Sequence, residues 1–420
     1  MRIAIIALGS RGDVQPYIAL GKGLQSAGHA VRLITHENYE RLVNSHGLEF
    51  WPVHGNVQEF AESPEMRALL EKGNFITLMN HAAKTAHETI LAWAKDGLPA
   101  VQGMNGIVAG LGAVFLGLAL AEKLDIPLIQ AYYVPFTPTG EFSGALLPPG
   151  ISRLGGTANR LSHHLTRQVL WQQGRSADTA ARRQILHLPT APFFGPFKAD
   201  AMKNPILYGF SPSVIAKPAD WQSNIHVTGY WFLEDETGWQ PSPALEEFLQ
   251  RGTPPIYIGF GSMSSRKPAE TADLILNALA ETGQRAVLLS GWSGLQVVNL
   301  PDNVFVVESI PHDWLFDRVQ AVVHHGGAGT TAVGLRAGVP SIIIPFFADQ
   351  PFWGQRVADL GVGPQPIPRK QLTVARLAEA IQTALHDSAM RQRAKALAAQ
   401  IRAENGVQRA VEIIQAECAL

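Results

Sequence analysis

The sequence predicts an α/β protein built from two doubly wound domains, each with its own parallel sheet. Short apolar strands alternate with helix-like segments in the first half of the chain, and the same alternation begins again after Pro254-Pro255. At 420 residues the chain is too long for one ordinary hydrophobic core, which favours two domains of similar size. Because strands separated by helices form parallel βαβ units, each half is expected to fold around a parallel sheet.

The N-terminal half opens with a strand, a helix and a second strand. Residues 2–8 form an apolar run, residues 14–27 have helical spacing, and residues 30–35 are apolar again. A further buried strand is predicted at residues 128–133. The most apolar segment, residues 107–121, is predicted to be a helix packed inside the domain. It is shorter than the roughly 20 residues that a membrane-spanning helix requires.

The second half repeats this alternation from residue 256 onwards. The polar, proline-marked segment 233–243 is the predicted linker between an N-terminal domain (1–232) and a C-terminal domain (244–420). The terminal helix could pack back on the N-terminal domain. Strands are predicted at 256–260, 286–290, 304–308, 321–324 and 341–345, and helices at 269–282, from 328 to 337 and over 373–417.

Composition excludes several classes of protein. Hydrophobic residues make up 46% of the chain and charged residues 16%, which is typical of a well-buried globular protein. The 34 basic and 35 acidic residues nearly cancel, which argues against a nucleic-acid-binding surface. Cys418 is the single cysteine, so intrachain disulfides and multi-cysteine metal sites are excluded, and a cytoplasmic location is expected. No transmembrane segment is predicted, although peripheral contact with a membrane stays open.

A glycine-rich segment in the C-terminal half carries the strongest functional signal. The sequence His324-His325-Gly326-Gly327-Ala328-Gly329-Thr330-Thr331 directly follows a predicted strand and opens a helix. Glycines at such a turn let backbone N–H groups approach an anion, and the helix N-terminus adds partial positive charge. The alternative is a tight turn with a capping threonine. Paired histidines before the glycines and paired threonines after them favour a phosphate site.

Two further turns follow predicted parallel strands, where ligands of open α/β sheets bind. Asp349 and Gln350, in the segment 345–353, offer a carboxylate and an amide to neighbouring sugar hydroxyls, although Asp349 could simply cap the next helix. The segment 9–16 fits the dinucleotide fingerprint poorly, because Arg11 and Val14 stand where glycines belong. It presents Asp13 at the mouth of the sheet, where an N-capping role is again the alternative.

These segments together resemble the family 1 nucleotide-sugar glycosyltransferases, and in particular the branch of the sterol glucosyltransferases and bacterial natural-product glycosyltransferases. The likeness spans both halves of the chain, at residues 9–16, 208–221, 257–263, 311–340 and 345–363. It implies the two-domain GT-B fold, in which the N-terminal domain binds mainly the acceptor and the C-terminal domain binds the donor.

The resemblance also implies roles for individual residues. Asp13 takes the place of the general base, and Asp349 and Gln350 contact the hydroxyls of the donor sugar. At Ser309 plant relatives have a tryptophan that stacks on the nucleobase, and at Val333 they have a glutamate that binds ribose, so base recognition here falls to the backbone of Ile310. The remaining donor contacts fall on Ser10, Gly12, Ser262, His325, Gly327, Gly329 and Thr330.

The implied reaction is direct displacement at the anomeric carbon with inversion. No Asp-x-Asp pair occurs in the sequence, so we expect no metal site and no resident cofactor, only a nucleotide-sugar co-substrate. UDP-glucose is the favoured donor and a dTDP-sugar, such as a rhamnosyl donor, the alternative. The acceptor is expected to be a lipophilic small molecule (sterol, carotenoid, phenolic, macrolide or hydroxy fatty acid) that contacts Phe136, Phe142 and Trp353.

Three other classes of function stay open on the residues alone. A dehydrogenase is disfavoured by the failed dinucleotide fingerprint. A sugar-nucleotide epimerase would share the two-domain shape but would convert the donor without an acceptor. A non-catalytic carrier of lipid or nucleotide would release no nucleoside diphosphate.

Overall fold

Two separate parallel sheets organise the molecule. The structure is a computed structural model that describes residues 1–56, 75–197, 204–234, 238–260, 268–290 and 300–418, with the backbone alone for residues 75–86, 149 and 268. Within these ranges the first sheet has seven strands and the second has five, and every neighbouring pair of strands is parallel. The α/β class predicted from the sequence is therefore confirmed.

The N-terminal sheet has the strand order β3-β2-β1-β4-β5-β6-β7. The chain starts in the middle, moves outward through β2 and β3, and then returns to the other side of β1. The point between β1 and β4 is thus a topological switch point, where the carboxyl ends of two strands open a crevice. The strands are β1 (Arg2–Ile6), β2 (Ala30–His36), β3 (Glu49–Val53), β4 (Gly106–Ala109), β5 (Leu128–Tyr132), β6 (Ile206–Tyr208) and β7 (Ile225–Val227).

Helices cover both faces of this sheet. Helix α1 places Val14, Tyr17, Ile18 and Leu24 against β1 and β2 in one hydrophobic cluster. On the opposite face, α4 packs against β4 in a second cluster. The helices of this half are α1 (Arg11–Ser26), α2 (Glu40–Ser45), α3 (Phe75–Val101), α4 (Val114–Leu124) and α5 (Gly156–Ala181), with short 3-10 turns at Glu37–Tyr39, Leu111–Ala113 and Pro149–Leu154 and a π turn at Arg182–Leu186.

The prediction of one helix over residues 107–121 is wrong. The segment begins as the central strand β4 and becomes helical only at Val114. All four residues of β4 are buried because the strand lies between β1 and β5. A strand covered on both faces has no alternation of polar and apolar residues, so its sequence runs on into the equally apolar start of α4.

The C-terminal sheet has the order β10-β9-β8-β11-β12, with its own switch point between β8 and β11. In the register, His324 of β11 lies between Gly259 of β8 and Ile343 of β12. The strands are β8 (Ile256–Gly259), β9 (Ala286–Leu289), β10 (Val304–Val307), β11 (Val322–His324) and β12 (Ser341–Ile343). The helices are α6 (Pro243–Gln250), α7 (Pro268–Thr282), α8 (His312–Phe316), α9 (Ala328–Ala337), α10 (Gln350–Asp359), α11 (Val374–His386), α12 (Ser388–Arg402) and α13 (Gly406–Cys418), with a 3-10 turn at Arg369–Gln371.

The two halves share a hydrophobic cluster and a terminal helix. One cluster contains buried residues from both halves, including Phe210 and Trp353, whose ring centroids are 6.3 Å apart. Helix α13 lies against α1 of the N-terminal half, and Gln415 Nε2 is 3.0 Å from His29 Nε2. The two halves of the chain are therefore in direct contact at two places.

Candidate active site

Asp13 is held rigidly at the carboxyl end of β1. Its Oδ2 accepts hydrogen bonds from the Ser10 N–H (2.6 Å) and the Ser10 hydroxyl (2.7 Å), and its Oδ1 accepts one from the Tyr133 hydroxyl (2.8 Å). Ser10 is the N-cap of α1, and Asp13 is the third residue of that helix. Ser10, and not Asp13, is therefore the N-cap residue of α1. Asp13 takes part in the capping box as its third helical residue, because its carboxylate accepts from the Ser10 N–H.

Two residues beside Asp13 were not identified from the sequence. Tyr133 directly follows β5, and burial together with the charge of Asp13 raises the pKa of its hydroxyl well above the usual value. His36 ends β2 and is 1% exposed. Burial lowers the pKa of His36, while the charge of Asp13 raises it by a smaller amount. Both side chains are thus neutral at pH 7 and lie within the electrostatic reach of the Asp13 carboxylate.

The glycine-rich segment forms the turn from β11 into α9. Gly327 is the N-cap residue of α9, and the His325 ring lies over it, so that a Cβ at Gly327 would be 2.6 Å from His325 Nε2. Gly329 is exposed, with open space where a side chain would stand, and Thr330 is half-buried. The first N–H groups of a helix have no intrahelical acceptor. This end of α9 can therefore offer N–H donors and a partial positive charge to an anion.

Histidines surround this turn, and all of them are neutral at pH 7. Burial lowers the pKa of His325 to about 4. Burial, followed by the charges of His325 and Arg11, lowers the pKa of His312 to about 4, and His324 is lowered well below its usual value. His312 Nε2 is paired with the Tyr257 hydroxyl at 2.9 Å, and His324 Nδ1 accepts from the Gly326 N–H at 3.1 Å. The influence of Arg11 on His312 places the start of α1 near this turn.

Asp349 and Gln350 lie where α10 begins. Asp349 occupies the N-cap position, but its carboxylate forms no capping hydrogen bond; its Oδ2 accepts from the Trp353 indole N–H at 2.9 Å instead. The Gln350 Oε1 accepts from the Phe346 and Phe347 N–H groups (2.8 and 3.2 Å), which folds the loop back on itself. The capping alternative is therefore not what this carboxylate does in the structure.

The carboxylates of Asp13 and Asp349 lie within electrostatic reach of each other. Burial raises the pKa of Asp349 to about 6, and the negative charge of Asp13 raises it further in the same direction. The pKa of Tyr133 is raised by the charges of both carboxylates. A carboxylate from the N-terminal half, a carboxylate from the C-terminal half and the Tyr133 hydroxyl therefore influence one another electrostatically.

Two of the three side chains expected to contact the acceptor are buried. Trp353 is 1% exposed and packs in the cluster shared by the two halves, so it positions Asp349 rather than forming a wall. Phe136 is 5% exposed, and the Arg167 guanidinium carbon lies over its ring, 5.1 Å from the Phe136 ring centroid. Only Phe142 is half-buried, with its ring 5.9 Å from Phe352 of α10. Phe136 and Trp353 both belong to the hydrophobic cluster shared by the two halves, whereas Phe142 packs at its edge.

Of the positions discussed for the nucleoside, Val333 borders an open cavity, whereas Ser309 and Ile310 do not line it. Pro311 and Val333 line a cavity of about 750 Å³, together with Trp239 and an ion pair between Arg336 and Glu234 (2.8 Å). Ile310 is buried, and within the described ranges its backbone forms no hydrogen bond with another residue. Ser10 and Gly12 lie at the start of α1, where Ser10 binds Asp13 and Gly12 is exposed. Ser262, also expected here, lies outside the described residues.

The described residues include neither a cluster of metal-ligating side chains nor a membrane-spanning helix. Among those residues, no three His, Cys, Asp or Glu side chains are grouped so that they could hold a metal ion. Likewise, no helix in the described ranges has the length and apolar character needed to cross a bilayer.

Comparison with known protein families gives two matches. Residues 3–143 match the glycosyltransferase family 28 N-terminal domain, and residues 273–417 match the C-terminal domain of the erythromycin biosynthesis protein CIII-like family. A sterol 3-beta-glucosyltransferase of Arabidopsis thaliana is 38% identical over 98% of this chain and 67% of its own length. One of Neurospora crassa is 38% identical over 99% of this chain and 27% of its own length. The chain thus spans between about a quarter and two thirds of these relatives.

Solved structures of bacterial glycosyltransferases share the fold. A spinosyn forosaminyltransferase has a TM-score of 0.70 at 16% identity, over 100% of this chain and 100% of its own. A glycosyltransferase of Streptomyces nogalater has a TM-score of 0.66 at 21% identity, over 100% of this chain and 99% of its own. A spinosyn rhamnosyltransferase complexed with thymidine diphosphate has a TM-score of 0.64 at 19% identity, over 99% of this chain and 100% of its own.

Proposed function

Since the chain belongs to the glycosyltransferase family that includes the sterol 3-beta-glucosyltransferases and has the GT-B fold, we propose that it transfers a hexose from a nucleotide-diphosphate donor to the hydroxyl of a lipophilic, sterol-like acceptor. One observation carries the proposal. A carboxylate fixed by three hydrogen bonds at the start of α1 lies within electrostatic reach of Asp349 in the C-terminal half, and Gln350, next to Asp349, lies against Gly326 of the glycine-rich turn.

Asp13 serves as the general base in this reaction. Its carboxylate accepts the proton of the acceptor hydroxyl while the hydroxyl oxygen forms a bond to the anomeric carbon, and the bond from that carbon to the diphosphate breaks. Attack opposite the leaving group inverts the anomeric configuration. Such proton transfer typically contributes about 10²–10⁴ in rate. Ser10 and Tyr133 hold the carboxylate in one orientation before the acceptor binds.

The leaving diphosphate is stabilised by the turn into α9. Negative charge develops on its oxygens as the bond breaks, and fixed N–H dipoles directed at that charge require no reorganisation during the reaction. The N–H groups of Gly327, Gly329 and Thr330 serve this role. His325 is neutral at pH 7, because burial lowers its pKa to about 4, and it contributes one N–H donor. With these donors the reaction proceeds without a metal ion.

Asp349 and Gln350 bind the hydroxyls of the donor sugar. The Asp349 carboxylate lies within electrostatic reach of Asp13, so a sugar bound between them has its anomeric carbon near the base. The Trp353 indole and the folded loop 346–350 fix both side chains before the donor arrives. Preorganisation of this kind reduces the entropy that binding must remove.

UDP-glucose is the proposed donor. The sterol 3-beta-glucosyltransferase relatives, as their names state, transfer glucose. The cavity beside Pro311 and Val333 is the proposed nucleoside site. A dTDP-sugar is the second candidate, since a neighbour of the same fold has been crystallised with thymidine diphosphate.

The test is a product analysis of the purified protein. UDP-glucose and dTDP-glucose are each incubated with a panel of detergent-dispersed acceptors (a sterol, a carotenoid diol, a phenol, a macrolide and a hydroxy fatty acid), and glycosides are identified by mass spectrometry. We expect a hexoside of the sterol together with stoichiometric release of UDP. Conversion of the sugar nucleotide with no acceptor product would indicate an epimerase. Binding of donor or acceptor with no release of nucleoside diphosphate would indicate a carrier.

A further inference from the structure

The N-terminal domain exposes an unusual concentration of large apolar side chains. In the described part of the chain seven large hydrophobic residues are exposed, and five of them lie between residues 154 and 194. Monomeric soluble proteins rarely expose such side chains together, and a contiguous group marks an interaction surface. The five are Leu154 (74% exposed), Leu161 (67%), Leu165 (52%), Phe193 (56%) and Phe194 (70%).

Leu161 and Leu165 lie on α5, the loop with Phe193 and Phe194 lies against that helix, and Leu154 precedes its first turn. Leu161, Leu165 and Gln168 are spaced by four and three residues, so they share one face of the helix. Gln168 Nε2 donates to the Phe194 carbonyl (2.7 Å), and the Trp171 indole donates to the Phe193 carbonyl (2.9 Å), which fixes the phenylalanine loop across the same face. The helix segment from residue 161 to residue 172 is about 16 Å long at the rise of an α-helix.

Positive charge accompanies these side chains. Residues 150–197 contain six arginines and one acidic residue, Asp178, and no lysine or glutamate, whereas the whole chain has a net charge of −1. Asp178 is buried and paired with Arg182. Arg153 is exposed next to Leu154, and the Arg175 guanidinium lies 4.5 Å from the Phe193 ring centroid. Of the six arginines, Arg167 and Arg182 are buried and Arg160 is paired with Asp220 (3.0 Å), so the positive charge of this surface comes from the other three: Arg153, Arg175 and Arg183.

We propose that this surface, formed by Leu154, Leu161, Leu165, Phe193, Phe194 and Arg153, docks the protein on an anionic phospholipid bilayer. Leucine and phenylalanine side chains on one helix face, bordered by arginines, are suited to the boundary between headgroups and acyl chains. The charge asymmetry selects this occupant over a second copy of the chain, because two copies of one cationic surface repel each other.

The docking surface is connected to the cleft by the opposite face of α5. The Gly144 N–H donates to the Ser162 hydroxyl (2.8 Å), and His163 Nε2 is paired with the Phe142 carbonyl (3.1 Å). The Phe142 ring in turn contacts Phe352 of α10, which follows Asp349 directly. One helix thus has the bilayer on its outer face and the loop at the acceptor side of the cleft on its inner face. A lipophilic acceptor has a short path from the membrane to the site.

The test measures vesicle binding by flotation. Wild-type protein is mixed with vesicles of phosphatidylcholine containing 30% phosphatidylglycerol, or of phosphatidylcholine alone, at low and high salt. We expect binding to the anionic vesicles that weakens with salt, because ions screen exposed charges. The double variant Leu161→Glu/Leu165→Glu should bind at least about tenfold more weakly, and Arg153→Glu about fivefold more weakly. Leu300→Glu, an exposed leucine in the other domain (41%), is the matched control and should bind like wild type.

Three outcomes would overturn the proposal. The first is equal binding of wild type and the double variant to anionic vesicles. The second is no binding of the wild type at low salt. The third is a wild-type dimer by analytical ultracentrifugation that becomes monomeric in the double variant, since the surface would then join copies of the chain. In the double variant we expect the circular dichroism spectrum and the transfer activity on a detergent-dispersed acceptor to be unchanged. These two measurements distinguish a failure of the docking proposal from a failure of the proposed activity.

Discussion

Replacing Asp13 by asparagine separates its proposed chemical role from its structural one. The structure gives the carboxylate three donors, two from Ser10 and one from Tyr133. Asparagine can direct its carbonyl oxygen at the Ser10 N–H and its amide at the Tyr133 oxygen, since a hydroxyl both donates and accepts. The capping box therefore largely survives. The loss of negative charge in the first turn of α1 should lower the free energy of unfolding by about 1 kcal/mol or less.

Turnover should fall far more than stability. Without a base at this position, kcat should decrease by roughly 10²-fold or more, equivalent to about 3 kcal/mol or more of transition-state stabilisation. Affinity for the donor should change little, because Asp13 contacts the acceptor proton and not the diphosphate. The measurements are kcat at saturating donor, the dissociation constant of UDP by calorimetry, and the melting temperature.

Tyr133→Phe is the matched control for this experiment. It removes the donor to Oδ1 and keeps the carboxylate, so the loss in kcat should be about tenfold or less, the scale of one hydrogen bond. A folded Asp13→Asn protein with the wild-type kcat would refute the assignment of the proton acceptor. In that case the carboxylate would be a helix-capping group only.

Four further results are expected. UDP at one hundred times its dissociation constant should stabilise the fold by about 2.7 kcal/mol, and no shift in melting temperature at millimolar UDP or thymidine diphosphate would exclude the donor site. Activity should survive excess EDTA, so complete loss with recovery on Mg²⁺ or Mn²⁺ would contradict the proposed stabilisation of the leaving group. His325→Ala should weaken UDP binding, measured by calorimetry, whereas an unchanged affinity would remove His325 from the diphosphate site. Because the pKa of Asp349 is raised to about 6, the KM for the donor should rise as pH falls through about 6 and the carboxylate is neutralised, and Asp349→Asn should abolish this dependence.

The loops of the site were predictable because each is contiguous in sequence. The turn at 324–331 and the pair Asp349-Gln350 follow strands that run consecutively along the chain, and their residue types alone indicate an anion and a sugar. Tyr133 and His36 were missed because each ends a different strand. Only the order of strands in the folded sheet, with β2 on one side of β1 and β4 and β5 on the other, brings both side chains to Asp13.

The sequence alone does not distinguish apolar residues that line a pocket from those that fill the core. An aromatic residue such as Phe136 or Trp353 looks the same in the sequence whether it lines a pocket or fills the core. The core is the commoner place for a large apolar side chain. Trp353 also acts through its one polar atom, the indole N–H on Asp349, which no sequence pattern indicates. Similarly, the change from strand to helix at Val114 is hidden because both elements are fully apolar.

Because the last helix, α13, packs against α1, the N-terminal domain consists of two separate segments of the chain. After α12 the chain passes so close to the backbone of Gly229 and Tyr230 that a Cβ at Gly406 would overlap it, and Glu404 accepts a hydrogen bond from the Ser211 hydroxyl (2.6 Å). A chimaera made to exchange donor specificity between relatives therefore needs two crossovers, one between β7 and β8 and another just before Glu404. With only the first crossover, α13 would come from one parent and α1 from the other, so the surfaces that pack together would not match.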